Sequence, residues 1–332
     1  MKDSSDFPPA LEEDRKESYR HGMIDLHCDT LLRIWEDGGH NSLASNPYSV
    51  DLDGLEKAGA LAQCFAIFTP PEGDRWATMR ALHDIFVREM EVNAGRISQA
   101  YDAADIASRR LSAILTIEDM GATEAKEERI DEVLSWSPRI ISLVWNNENA
   151  FACPNSPDPQ LMAKGLKKAG HELIERMGGH RMVLDVSHLS DGGFWEVMDH
   201  EEVMVVATHS NARAVTAHPR NLTDAMIRAI AERGGVVGLN FCPAFLTTWS
   251  EGTRMEDEVS RIDDMVRHIM HIRRVGGDGV IALGSDFDGI GGQLEIAHSD
   301  EVHKLFEALE KAGLPPSSVD KLAKGNALRV LA

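Results

Sequence analysis

From residue 22 onward the chain alternates in a regular way: a short apolar or β-branched run, a polar stretch, then a longer segment of helical period. Eight such runs are legible, at 22–27, 61–68, 112–117, 140–145, 182–187, 203–208, 236–241 and 280–285. Between them, periodicity predicts helices over 76–101, 160–177, 224–233, 262–275 and 302–312, with Gly178-Gly179 and Gly276-Gly277 as stops. Eight alternating strand and helix units over about 300 residues specify an α/β chain closed into a (β/α)8 TIM barrel. A doubly wound open sheet is the structural alternative. At 332 residues and 43% hydrophobic the chain suffices for one large barrel or two ordinary domains. No linker or low-complexity tract divides it, so residues 21–332 are expected to form a single catalytic barrel. Residues 1–20, with Pro8-Pro9 and the charges around Glu12-Glu13-Asp14, read as an N-terminal arm or capping segment with little to bury.

Charge narrows the function. A formal net charge of −20 repels phosphate backbones and anionic lipid, which disfavours nucleic acid and membrane surfaces as partners and favours a small-molecule enzyme. Cys28, Cys64, Cys153 and Cys242 are scattered without a Cys-x-x-Cys pair, as expected of free thiols in a reducing compartment. The first residues lack the apolar core of a secretory signal, and no stretch reaches the roughly 20 apolar residues of a bilayer span. A cytoplasmic protein is the expectation.

A barrel concentrates its chemistry where strands end, and titratable residues cluster there. Within Met23-Ile24-Asp25-Leu26-His27-Cys28-Asp29-Thr30, strand alternation would put His27 and Asp29 on one side and Cys28 on the other, so Cys28 is not expected to be a ligand. Later runs end in Glu118-Asp119, in Asp185-Val186-Ser187-His188, in Thr208-His209-Ser210 and in Ser285-Asp286-Phe287-Asp288. Any one of these is ordinary, since strands often leave through polar residues and a lone histidine is usually structural. Their convergence on one barrel face predicts a metal site. His27, Asp29, Glu118, His188 and His209 are more ligands than a tetrahedral catalytic zinc with an open position uses. Two ions with Glu118 as the bridge is the economical solution.

These residues carry a family resemblance. The chain resembles the membrane dipeptidase (renal dipeptidase) family of binuclear zinc peptidases, in the amidohydrolase superfamily, and is most similar to its soluble bacterial members. The motifs run in order: Asp25-Leu26-His27-Cys28-Asp29-Thr30, Ala62-Gln63-Cys64-Phe65-Ala66-Ile67-Phe68, Leu184-Asp185-Val186-Ser187-His188 and Thr208-His209-Ser210-Asn211-Ala212-Arg213. They continue with His218-Pro219-Arg220-Asn221-Leu222-Thr223-Asp224, Gly284-Ser285-Asp286-Phe287-Asp288-Gly289 and Gly325-Asn326-Ala327-Leu328-Arg329. The resemblance implies two Zn²⁺ per chain, the first held by His27 and Asp29, the second by His188 and His209, with Glu118 between them. It further implies Asp286 as general base and acid, and Arg220 as the reader of a substrate carboxylate. Asp288 is expected to orient substrate or a loop. Trp145 lines the pocket or packs in the core. A homodimer also falls within what the resemblance allows.

Two departures stand out. Glu118-Asp119-Met120-Gly121 replaces the usual glutamate and two glycines, which predicts extra bulk beside the bridge. Trp145-Asn146-Asn147 lacks the substrate-contacting histidine of the renal branch, leaving transition-state stabilisation to the metals or to Asn146 and Asn147. The function implied is a zinc-dependent dipeptidase acting on small dipeptides, L,D as well as L,L, by attack of a metal-bridging hydroxide. Another amidohydrolase activity on the same site, such as N-acyl amino acid deacylation or lactone hydrolysis, is the alternative, because fold does not fix substrate. A non-catalytic scaffold is disfavoured by the completeness of the ligand set. His83, His171, His268 and His271 read as surface or packing residues, Met265 and Met270 as helix packing, and His218 as a neighbour of the pocket. Asp51-Leu52-Asp53-Gly54 reads as a turn, because no bidentate glutamate follows at the twelfth position.

Overall fold

The computed structural model describes residues 21–332 apart from positions 181 and 251, so the expected N-terminal arm lies outside the described residues. Eight parallel strands carry the architecture: β1 (Met23–Asp25), β2 (Ala60–Phe68), β3 (Ser112–Glu118), β4 (Ile140–Ser142), β5 (Val183–Asp185), β6 (Met204–Val206), β7 (Val237–Leu239) and β8 (Ile281–Leu283). Their order is β6-β5-β4-β3-β2-β1-β8-β7. The ring closes at a parallel bridge between Ala207 and Val237, where Ala207 N–H donates to the Val236 carbonyl at 2.9 Å and Gly238 N–H to the Ala207 carbonyl at 2.8 Å. Gly238 is needed there, because a Cβ would lie 1.9 Å from the Thr208 carbonyl oxygen. The expected TIM barrel is therefore what the chain forms.

Both faces of the sheet are covered, which is why the strands read as continuous apolar runs rather than as alternation. β2 is buried along all nine residues and pairs with β3 from Ala62–Ser112 to Phe68–Glu118. Inside the ring, Ile24, Ala62, Ile114, Val183, Val206 and Ala282 pack together and against Leu331 near the C-terminus. Outside it, helices shield the sheet. Phe86 of the helix Arg75–Val92 is 1% exposed, with its ring 6.5 Å from Phe65 of β2. Phe86→Ala should cost about 3–5 kcal/mol of stability, read as a lower urea midpoint.

Helix boundaries differ from expectation where long-range pairing overrides local periodicity. The predicted helix 76–101 stops at Val92, where the Asn93 side chain donates to the Glu89 carbonyl at 3.0 Å. Residues Ser98–Gln99 instead form a short strand against Ser112 and Ala113. The predicted helix 160–177 is two, Pro159–Met162 and Lys168–Gly178. Between them Leu166 bridges Ala152, and its N–H donates to Glu196 at 2.7 Å. Among the described residues no helix is long and apolar enough to cross a membrane.

Most strands are shorter than their apolar runs, and at two of them the physical reason is visible. At the ends of β1 and β5, buried carboxylates take the place of ladder carbonyls. Asp25 accepts Ser285 N–H at 2.8 Å and Ser285 Oγ–H at 2.6 Å. Asp185 accepts Ser187 N–H at 3.0 Å and Thr208 N–H at 2.9 Å. Regular pairing ends there, and the chain is free to turn into the site.

Candidate active site

The expected ligands meet, although not by strand alternation alone. β1 stops at Asp25, and Asp29 is the N-cap of helix α1 (Thr30–Glu36), with φ −105° and ψ 23°. Entry into that helix brings Asp29 Oδ2 to 3.5 Å from His27 Nε2. Glu118 ends β3, and its two oxygens face opposite ways. Oε2 lies 3.2 Å from His27 Nε2, while Oε1 lies 2.9 Å from His188 Nε2 and 3.7 Å from His209 Nε2. Asp286 Oδ1 is 3.8 Å from His27 Nε2, and all six side chains are buried.

Hydrogen bonds on the outer side of each ring fix what faces inward. His188 Nδ1–H donates to Asn146 Oδ1 at 3.1 Å, leaving Nε2 as an acceptor. His209 Nδ1–H donates to Thr208 Oγ1 at 2.7 Å, and that hydroxyl donates to Asp185 Oδ2 at 2.5 Å. The two Nε2 atoms then stand 3.0 Å apart beside Glu118 Oε1, with Arg220 Nη2–H donating to His188 Nε2 from the wall at 3.2 Å. On the other side, His27 Nε2 and Asp29 Oδ1 are buried without a hydrogen-bond partner. Nitrogen and carboxylate lone pairs converging in this way fit divalent cations and little else. Three sets of ligand atoms are close enough to hold an ion: His27, Asp29 and Glu118; Glu118, His188 and His209; and His27, His209 and Asp286.

The same packing sets the protonation of the metal-free cradle. Burial, with Arg220 nearby, holds the His188 ring well below the usual imidazole range; burial and His27 do so for His209. Burial also opposes charge on His27, but Glu118 and Asp29 outweigh it and hold that ring well above its usual value. Burial raises Glu118 to about 7, against the opposing pull of His27. Asp286 is likewise pushed up by burial.

A cavity of about 720 Å³ opens over the cluster, and Asp29, Glu118, His188 and Asp286 line it. Asp286 has a left-handed backbone, φ 63°, and accepts Asn240 Nδ2–H at 2.8 Å. Asp288 lines the cavity while accepting Thr30 Oγ1–H at 2.6 Å and Ser49 N–H at 2.7 Å. Arg220 is buried in the wall, its Nη2 donating to the His209 carbonyl at 3.2 Å and its Nε without a partner. Trp145 faces the cavity, its ring 4.8 Å from Phe68 and 6.2 Å from His188. His218 lines it too, with Nδ1 accepting Arg220 N–H at 3.2 Å; burial and Arg220 lower its pKa to about 4.

Some expectations need correction. Asp119 and Met120 do not crowd the bridge, because Asp119 takes a φ of 74° that turns the chain away. Its carboxylate meets Arg75 Nη2 at 2.7 Å and Asn149 Nδ2 at 2.7 Å, and Met120 is buried in the core. Asn146 lines the cavity and holds His188, whereas Asn147 is exposed and outside the lining. His83 stacks on Trp136 at 4.2 Å and His268 is buried against Ala212 and Leu246, both away from the site.

Asp25, Asp185, Thr208 and Asn240 position the site without having been singled out for that role in the sequence. The available signal was the repeated spacing of Asp25-Leu26-His27 and Asp185-Val186-Ser187, and an asparagine inside the apolar run 236–241. Gly289 has a different necessity: a Cβ there would lie 2.1 Å from Asp29 Oδ2 and 2.8 Å from Asp286 Oδ1. Gly289→Ala should weaken metal retention by about 10–100-fold, the usual scale for displaced ligand supports, measurable by competition with a chelating dye.

A closed parallel barrel bearing such a histidine and carboxylate cradle at its strand ends has the arrangement that metal-dependent hydrolysis requires. Residues 14–332 match the family described as Membrane dipeptidase (Peptidase family M19). A protein from the pqqA 5′ region of Klebsiella pneumoniae is 37% identical over 249 residues, 72% of this chain and 89% of that one. The crystal structure of the dipeptidase AC, a metallopeptidase of family M19, superposes with a TM-score of 0.85 at 27% identity, covering 94% of this chain and 98% of that one. A Rhodobacter sphaeroides metallopeptidase, liganded with a phosphinate mimic of the dipeptide L-Ala-D-Ala, gives 0.84 at 26% identity, covering 93% and 98%. The chain belongs to the membrane dipeptidase family and is a metallo-dipeptidase.

Proposed function

We propose that this chain is a binuclear zinc enzyme that hydrolyses small dipeptides, L,D as well as L,L. The observation that carries the reading is the divided Glu118 carboxylate, one oxygen toward His27 and Asp29, the other toward His188 and His209. His27 and Asp29 would hold the first ion and His188 and His209 the second, with Glu118 shared. Zinc bound there supplies the positive charge that polarises a scissile carbonyl and makes an attacking water acidic near neutral pH. The phosphinate dipeptide mimic in the Rhodobacter sphaeroides relative supports including a D-residue at the C-terminal position.

The protein's own groups then do the rest. Asp286, set beside His27 and oriented by Asn240, takes the proton from the attacking water and returns it to the leaving amine. Arg220, with a buried unpaired Nε–H, captures the substrate's terminal carboxylate. Trp145 and Phe68 form an apolar wall that limits water around the reacting bond. Asp288 braces the segment at Ser49 against α1 and adds negative charge where an α-ammonium would lie.

Metal analysis should find close to two zinc equivalents per chain, and a metal-free, chelator-indifferent enzyme would refute the reading. A panel of L,L and L,D dipeptides beside N-acyl amino acids and lactones tests the substrate class; turnover confined to the latter two would replace it. Metal uptake should also be linked to protons. His27, raised above the usual range, and Glu118, near 7, are both substantially protonated in the metal-free protein at pH 6.5 and must lose those protons on binding. Zinc affinity should therefore rise with pH, with release of at most about two protons per chain when both sites fill, measured by calorimetry in buffers of different ionisation enthalpy.

A further inference from the structure

A second cavity, of about 570 Å³, adjoins the first, and the two share the walls Arg33, Asp288, Gly289 and Ile290. Its far side is formed by Tyr48, Met255, Leu294 and His298, an apolar and weakly polar surface. Its charged side chains, among the described residues, are Arg33 and Asp288. Asp288 already accepts hydrogen bonds from Thr30 and Ser49 on its two oxygens. His298 directs Nδ1–H to the Tyr48 carbonyl at 3.1 Å. Arg33, one turn into α1 from Asp29, is different: among the described residues only its Nη1 is engaged, by Glu36 at 3.1 Å, and its side chain is 47% exposed. The guanidinium carbon sits 5.8 Å from the Tyr48 ring centre, which steadies it at the junction of the two cavities.

Substrate orientation follows from charge. Arg220, in the loop after β6, draws the terminal carboxylate to its side of the site. Asp29 and Asp288, after β1 and β8, make the position beside them favour the α-ammonium over the terminal carboxylate. A dipeptide so placed has its N-terminal residue beside Gly289 and Ile290, and that residue's side chain has the second cavity in front of it.

We propose that this second cavity is a specificity subsite for the N-terminal residue of the substrate, and that Arg33 makes it select side chains ending in a carboxylate. The proposal rests on the dipeptidase reading above. The neutral wall accommodates the aliphatic stem, and the donors of Arg33 not held by Glu36 meet the acid. Charge-assisted hydrogen bonds of this kind separate a carboxylate from its isosteric amide without any change in shape.

The test compares kcat/KM for L-Glu-L-Ala and L-Gln-L-Ala, with L-Lys-L-Ala, L-Ala-L-Ala and the reversed pair L-Ala-L-Glu and L-Ala-L-Gln, on the zinc-loaded full chain. The wild type should favour Glu-Ala over Gln-Ala by about tenfold, the factor that corresponds to about 1.4 kcal/mol. In Arg33→Met that ratio should fall to about one through KM, and in Arg33→Glu the preference should pass to Lys-Ala. Cleavage of Ala-Ala with a Glu-Ala to Gln-Ala ratio near one in the wild type overturns the subsite while leaving the dipeptidase reading intact. A ratio that persists in Arg33→Met, or an Arg33-dependent preference for Ala-Glu over Ala-Gln, also overturns it. Failure to cleave any of these peptides overturns both readings.

Discussion

Asp286→Asn should lower kcat by about 10²–10⁴-fold, the range attributable to one general acid–base group, while the protein keeps its zinc. The reason lies in how the side chain is held. Asn240 Nδ2–H donates to Asp286 Oδ2 at 2.8 Å, so an asparagine at 286 must turn its carbonyl to Asn240 and its amide nitrogen toward the site. An N–H donor then stands where a proton acceptor is needed. Asparagine tolerates the left-handed φ of 63°, so the fold should be unaffected. Pre-steady-state assays with metal analysis on the same sample would check this, and full turnover in the zinc-loaded variant would remove Asp286 from the proton role.

Glu118→Gln should have a larger effect on loading. The carboxylate supplies negative charge to both halves of the cradle, and a carboxamide keeps the shape while losing the charge and one acceptor. Zinc content should fall from about two equivalents to less than one after dialysis, and kcat/KM by about 10³-fold or more. The metal-free variant should nonetheless be at least as stable as the metal-free wild type. Its amide N–H would satisfy His188 Nε2, 2.9 Å away in the wild type, and its carbonyl would accept from His27. Thermal unfolding of both proteins in chelator separates the two effects; a destabilised metal-free variant would contradict this account of the cradle.

Much of this was legible in the sequence, and the physical reasons are specific. Each of the eight apolar runs coincides with a barrel strand to within a residue or contains one, because a parallel strand covered on both faces needs an uninterrupted apolar run. His27, Asp29, Glu118, His188, His209 and Asp286 were legible as a set because a barrel brings its strand ends together whatever their separation in sequence. Their geometry was not. Asp29 arrives by capping a helix, and the ladders stop early because Asp25 and Asp185 intercept backbone donors. Local sequence does not reveal which partner a buried carboxylate takes. Asp119 shows the same limit: beside Glu118 in sequence, it is turned by one left-handed residue toward Arg75 and away from the cavity.

The carboxylates at the strand ends have a consequence for how such an enzyme diversifies. Since Asp25 and Asp185 pin the rim by side chains, the outline of the cradle depends on a few residues and not on the length of the strands or the loops that follow them. Beyond Gly289, segments such as 290–298, which wall the second cavity, can then lengthen, shorten or change charge without loosening the ligands. What the enzyme cleaves is free to drift, while the means of cleavage stays anchored.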